Sequence, residues 1–247
     1  MKPLLIALST LSLLPVSPKE WKESDVKTSV VFYPLVGAVL GGFLAALGQV
    51  HLGHGLKAML LLLFWVIGTG AFHLDGLADC CDGFFGGEDP QDRRRIMKDP
   101  FIGAYGVTAI VLALLIKYNL ASLLTGEDSW KWLILIPLAA RWAVTLSCMV
   151  FQAPTGDQGL GAQVTGFSPS FFAIETLLSW GAGLFLLKLQ GLEIFLMTGL
   201  VSLGVGFLSK SKIKGLTGDG LGATIELGEL AGLFFAALTI HTALFPL

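Results

Sequence analysis

Long apolar runs separated by polar stretches dominate the chain. They lie at about 30–50, 56–72, 104–121, 131–151, 171–189, 192–208 and 228–247. Each is near the ~20 residues that cross a hydrocarbon layer of about 30 Å as a helix. The runs are continuous and do not alternate, so they predict helices and not the short dyad-repeat strands of a membrane barrel. Gly37, Gly41, Gly42 and Gly48 supply small faces on which helices pack closely in lipid. Lys2 followed by apolar Leu4–Leu14 has the shape of a signal peptide, but Val16-Ser17-Pro18 is not a small-x-small cleavage site. The run is also short for a span, which predicts a retained half-helix or re-entrant segment. The expected fold is all-α: a polytopic transmembrane helix bundle of about seven spans plus that N-terminal segment.

Composition agrees. The chain is 54% hydrophobic and 14% charged, against about 25% charged in a typical soluble domain. Such a surface needs a lipid bilayer as partner. The net charge of −2 leaves no basic surface for nucleic acid. Cys80, Cys81 and Cys148 form no metal-ligand set, and His51, His54, His73 and His241 match no spaced zinc motif. If the spans alternate, the polar stretches 15–29, 73–103, 152–170 and 209–227 share one side. They carry most of the basic residues: Lys19, Lys22, Lys27, Arg93, Arg94, Arg95, Lys98, Lys210, Lys212 and Lys214. The positive-inside rule places that side in the cytoplasm. A single integral membrane domain over 1–247 is expected, with active-site loops at 73–103, 152–170 and 209–227. Oligomeric state, a homo-oligomer included, is not decided by the sequence.

The same side collects acids in two rows. Asp75, Asp79 and Asp82 stand at i, i+4 and i+7, within roughly 60° of one another on a helix. Like charges at this spacing repel, and near lipid their desolvation adds to the cost, about 2.5–3.5 kcal/mol for an aspartate at the bilayer centre. A cation bound to the row would offset that cost. Oxygen ligands without imidazole or thiolate suit Mg²⁺, Mn²⁺ or Ca²⁺. The second row, Asp219, Glu226 and Glu229, spans about 80° of a helix. Glu226 and Glu229 are expected where the last span begins. Two rows suggest a site for more than one metal, which would clamp the entering and leaving oxygens of a phosphoryl displacement. Arg93, Lys98 and Lys214 are placed to meet phosphate. Arg141 lies inside an apolar run and calls for an acid partner or a substrate phosphate.

These motifs resemble those of the cobalamin synthase family, the adenosylcobinamide-GDP ribazoletransferases, membrane enzymes that complete vitamin B12. The resemblance is carried by Phe72 to Gly83 (FHLDGLADCCDG), Arg93 to Asp99 with Ile102 to Gly106, Arg141-Trp142, Gly159-Leu160-Gly161, and Gly215 to Glu229 (GLTGDGLGATIELGE). Phe32 to Gly37 (FYPLVG) also matches. The resemblance implies that adenosylcobinamide-GDP is joined to α-ribazole, or its 5′-phosphate, with release of GMP, in the cytoplasmic (inner) membrane of a prokaryote. It implies Mg²⁺ as cofactor, held by Asp75, Asp79, Asp82, Asp219, Glu226 and Glu229, with Asp82 as general base. Arg93, Lys98, Asp99, Arg141 and Lys214 become the expected substrate contacts.

The first acidic row is also similar to that of CDP-alcohol phosphotransferases, but their pattern needs an Ala-Arg pair where this chain has Ala78-Asp79. A divalent-cation transporter would instead place its acids near the midplane between repeats. The chain departs from the family where an Arg-Pro-x-Gly-Leu-Gly stretch is usual. It has Phe151 to Gly161 (FQAPTGDQGLG), without the arginine.

Overall fold

The computed structural model describes residues 1–124 and 129–244, with side chains as far as Ile240, and every regular element among them is helical. The helices are α1 (Lys2–Leu11), α2 (Glu23–Ser29), α3 (Tyr33–Gly48), α4 (His54–Gly68), α5 (Phe72–Gly86) and α6 (Pro90–Ile96), then α7 (Ala104–Leu123), α8 (Trp130–Val150), α9 (Leu160–Val164), α10 (Pro169–Leu187), α11 (Leu189–Ile213) and α12 (Gly218–Leu244). A 3-10 turn, Val30–Phe32, joins α2 to α3. Among the described residues six helices are long and apolar enough to span a membrane: Glu23–Gly48, α7, α8, α10, α11 and α12 as far as Ile240. The chain is a multi-pass membrane protein. Residues 245–247 of the expected last span, and the side chain of His241, lie outside the described residues.

The expected second span, 56–72, ends early, because α4 stops at Gly68. α4 and α5 form a pair bent by 81°. The bend is a Schellman ending of α4: Ala71 N donates to the Val66 carbonyl (3.0 Å) and Gly70 N to the Ile67 carbonyl (2.9 Å). Gly70 and Ala71 both adopt positive φ, 64° and 58°. Glycine takes that conformation freely, whereas Ala71 carries a steric cost of roughly 1–2 kcal/mol. The bend turns the aspartate-bearing α5 across the bundle, against α12 and α7.

α8 is the central helix, packed against α3, α10, α11 and α12. Its core side chains Leu133, Leu135, Ile136, Ala139 and Ala143 are fully buried. α3 meets it at backbone distance: a Cβ on Gly41 would lie 2.6 Å from Ile134 Cα, and one on Gly37 2.8 Å from Leu138 Cα. The outer faces are apolar too. Leu177, Leu178, Phe185 and Leu200 are largely exposed, as lipid contact requires and water would not tolerate over such an area. α1 packs into the bundle with Ile6, Ala7 and Leu11 buried, so the expected N-terminal half-helix is part of the core.

The last polar stretch is shorter than expected. Most of 209–227 is helical, because α11 runs to Ile213 and α12 begins at Gly218. Lys214, at φ 69°, ends α11, and the Thr217 hydroxyl accepts from Gly220 N (3.3 Å) at the start of α12. Glu226 and Glu229 therefore lie well inside the last span, and the acid in its first turn is Asp219.

Gly41→Leu is expected to destabilise the bundle by about 1–3 kcal/mol through overpacking against α8, read as a lower melting temperature in detergent. Gly42→Leu, whose Cβ meets nothing within 4 Å, should leave melting unchanged. Equal melting of both variants would contradict the α3–α8 contact.

Candidate active site

The two acidic rows separate by depth. From Gly218, Glu229 lies about 16 Å further along α12 at about 1.5 Å rise per residue. There the Lys117 ammonium donates to Glu226 (2.7 Å) and Glu229 (2.8 Å), and Arg141 pairs with the other oxygen of Glu229. All four side chains are buried, and Lys117 also sits 5.1 Å from the Trp65 ring. The carboxylates of Glu226 and Glu229, expected as metal ligands, are thus taken up by cations of the protein itself. Arg141 has an acid partner, one of the two the sequence left open, and lines neither of the cavities beside Asp219. Lys117 is inside the bundle, 1% exposed.

Asp82 has a different task. Its two oxygens accept from Gly103 N (2.7 Å) and Gly106 N (2.8 Å), the open amides at the start of α7. α7 has no side-chain N-cap of its own, and these amides require an acceptor. A Cβ on either glycine would collide with the Asp82 carboxylate. With both oxygens engaged and the residue only 8% exposed, Asp82 is placed to cap a helix across the fold. It is poorly placed for the expected roles of general base and metal ligand.

Asp75 and Asp79 remain, with Asp219 opposite them. Gly76 lets α5 lie on the first turn of α12: its Cβ would stand 2.8 Å from the Asp219 carbonyl oxygen. Asp79 is half-buried and feels the negative charges of Asp75, Asp219 and Asp82. Asp219 sits at the positive end of the α12 dipole. Among the described residues no three His, Cys, Asp or Glu side chains converge into a ready-made metal cluster. One or two carboxylates completed by substrate phosphates is the ordinary arrangement for Mg²⁺, and crowded, hydrogen-poor oxygens are the donor chemistry it takes. The residues present fit that ion.

Beside Asp219 a cavity of about 370 Å³ opens, lined by Lys98, Asp157, Thr217 and Asp219 and by residues from α1, α3, α5, α8 and α12. A second cavity of about 160 Å³ shares those four residues and adds Arg94. Lys98 is therefore where phosphate binding would need it. Arg93 and Arg94 instead close the end of α11, donating to the Lys212 (3.3 Å) and Ile213 (3.1 Å) carbonyls. Asp99 accepts from Phe101 N (3.0 Å) in a local turn, and exposed Lys214 ends α11; neither lines these two cavities.

Asp157 was not singled out by the sequence patterns. It comes from the glycine-flanked stretch that departs from the family. Its Oδ1 accepts from Gly159 N (3.1 Å), and its buried Oδ2 has no partner.

Asp82→Asn should lower stability by about 1–2 kcal/mol through the weakened cap, with turnover falling only as the folded fraction falls. Loss of turnover in fully folded Asp82→Asn protein would return the general base to this residue.

The family model described as cobalamin-5-phosphate synthase matches residues 3–237. The chain is 36% identical over 233 residues to the adenosylcobinamide-GDP ribazoletransferase of Prosthecochloris aestuarii, covering 92% of this chain and 93% of that one. It is 39% identical over 244 residues to the protein of the same name from Pseudomonas putida, covering 96% and 99%, and 38% identical over 247 residues to that of Pseudomonas entomophila, covering 97% and 100%. No solved structure matches the chain. With a family model along nearly its whole length and full-length relatives above a third identical, the chain belongs to the cobalamin-5-phosphate synthase family.

Proposed function

We propose that the protein is a Mg²⁺-dependent adenosylcobinamide-GDP ribazoletransferase. It joins adenosylcobinamide-GDP to α-ribazole, or α-ribazole 5′-phosphate, giving adenosylcobalamin, or its 5′-phosphate, and GMP. The observation that carries this reading is Asp219, packed against the aspartate helix at Gly76 and lining a cavity that also presents Lys98 and Asp157.

In the reaction a ribose hydroxyl oxygen attacks the phosphorus attached to cobinamide. The bond from that phosphorus to the bridging oxygen breaks, and GMP leaves with the electron pair. Lys98, shared by both cavities, holds the diphosphate. Asp157 Oδ2, a buried carboxylate oxygen without a partner, is placed to accept the hydroxyl proton. Asp75, Asp79 and Asp219 would hold Mg²⁺, which when bound neutralises charge on the diphosphate and the leaving GMP.

The site end of the bundle carries Lys19, Lys22, Lys27, Arg95 and Lys210, and the positive-inside rule turns that end to the cytoplasm of a prokaryotic inner membrane. The corrinoid, far larger than the cavity, stays at that surface. A CDP-alcohol type of chemistry would release CMP, and transport would release no nucleotide.

Protein purified in detergent and given both substrates should release GMP and form the corrinoid product only with Mg²⁺ present. Asp79→Asn should lower turnover by about a hundredfold or more while folding normally, since even outer-shell partners of a metal act on the 10–100-fold scale. Retained turnover in that variant would sink the metal assignment. No GMP under any divalent metal would sink the reaction.

A further inference from the structure

The larger cavity has two unlike walls. Lys98, Asp157, Thr217 and Asp219 form the wall shared with the smaller cavity. The inner wall is mainly apolar, with Leu11, Val144, Leu221 and Ile225. Set among these are two buried polar atoms with no hydrogen-bond partner, Tyr33 Oη and His73 Nε2. Tyr33 is 1% exposed and His73 4%. The neighbouring Ser29 hydroxyl donates its one proton to the Val26 carbonyl (2.6 Å), so it gives none to the Tyr33 oxygen, whose lone pairs stay open. A buried polar atom left unmade costs stability. Two of them on one cavity wall, from separate helices, mark a place where a ligand completes the bonding.

The chemistry of that ligand follows from the lining. Among the described residues the one lysine or arginine on the larger cavity, Lys98, sits on the shared wall, and the smaller cavity adds Arg94. Phosphate is therefore served from the smaller side and has no counter-charge on the inner wall. An apolar wall with a few fixed polar groups, at this volume, suits an uncharged organic molecule with an aromatic body. A phenol oxygen and an imidazole nitrogen can each meet a hydroxyl or a ring nitrogen, as donor or as acceptor.

We propose that the inner half of the larger cavity is the subsite for the uncharged base-and-ribose part of the acceptor, α-ribazole or its 5′-phosphate, with Tyr33 Oη and His73 Nε2 as its polar contacts. The donor's diphosphate enters from the side of the smaller cavity, and the two substrates meet at Asp219 and Asp157. This assignment rests on the transferase reading and adds which substrate lies on which side. It also gives a role to Tyr33 in the Phe32 to Gly37 motif and to His73 at the head of the aspartate helix.

Steady-state kinetics of the full chain in detergent, with each substrate varied, test it. Tyr33→Phe removes one hydroxyl and keeps the ring. It should raise KM for α-ribazole by about two- to tenfold, the worth of one hydrogen bond, and leave KM for adenosylcobinamide-GDP unchanged. His73→Asn should do the same. Leu221→Trp, which fills the inner half, should abolish α-ribazole binding in equilibrium dialysis while the donor still binds. An unchanged KM for α-ribazole in both polar variants, a rise in the donor KM instead, or a fall in kcat alone would overturn the subsite. Wild-type GMP release in the same assay keeps the transferase reading intact in that case; absence of wild-type GMP release would end both.

Discussion

The buried quartet of Lys117, Glu226, Glu229 and Arg141 is the interaction on which the arrangement of the site depends. It ties α7, α8 and α12 together in the interior, and the Trp65 ring beside Lys117 brings α4 into the same knot. Desolvating four charges is expensive, and their mutual attraction recovers that cost only while all partners are present. Removing one partner of a buried pair typically costs about 3–5 kcal/mol. Such a network contributes less to net stability than to uniqueness: it penalises any rotation or sliding of α12 that would separate the charges. With α12 fixed, Asp219 is held against α5 at Gly76, and the chemical face of the site is defined from below.

Asp82 fixes the same site from the side. Its cap on α7 joins the far end of the aspartate helix to the start of a spanning helix. The Schellman turn at Gly70 and Ala71 fixes the near end. Between these clamps lie Asp75 and Asp79, and Asp79 is close enough to Asp75 and Asp219 to feel their charge. The carboxylates therefore divide by what surrounds them. Those met by protein donors, Asp82, Glu226 and Glu229, build the frame. Those met chiefly by one another, Asp75, Asp79 and Asp219, are the ones a cation would serve.

The helical nature of the chain, its membrane spans and the shared face of Asp75 and Asp79 were legible because they are matters of period and composition. Depth and partner were not. A helical wheel puts Glu226 and Glu229 near the azimuth of Asp219, but it does not report that they lie deeper, opposite Lys117. Lys117 falls near the end of an apolar run, a position that gives no sign that its side chain turns inward. The cap by Asp82 did leave a signal. Gly103 precedes α7 where Ser, Thr, Asp or Asn would normally stand, so the helix needed an acceptor from elsewhere. Asp157 gave only a turn pattern, and its place on the cavity arises from long-range folding of the 151–161 stretch onto α12.

The division of the acids into frame and site is tested most directly by cation binding itself. Mn²⁺ would be titrated into the detergent-purified protein in the presence of adenosylcobinamide-GDP and followed by electron paramagnetic resonance. Asp219→Asn should weaken Mn²⁺ binding by about tenfold or more, while the charge-matched double variant Lys117→Met/Glu226→Gln, once shown to be folded, should bind as the wild type does. Weakened binding in the double variant with full binding in Asp219→Asn would contradict the account and return the metal to the deep carboxylates.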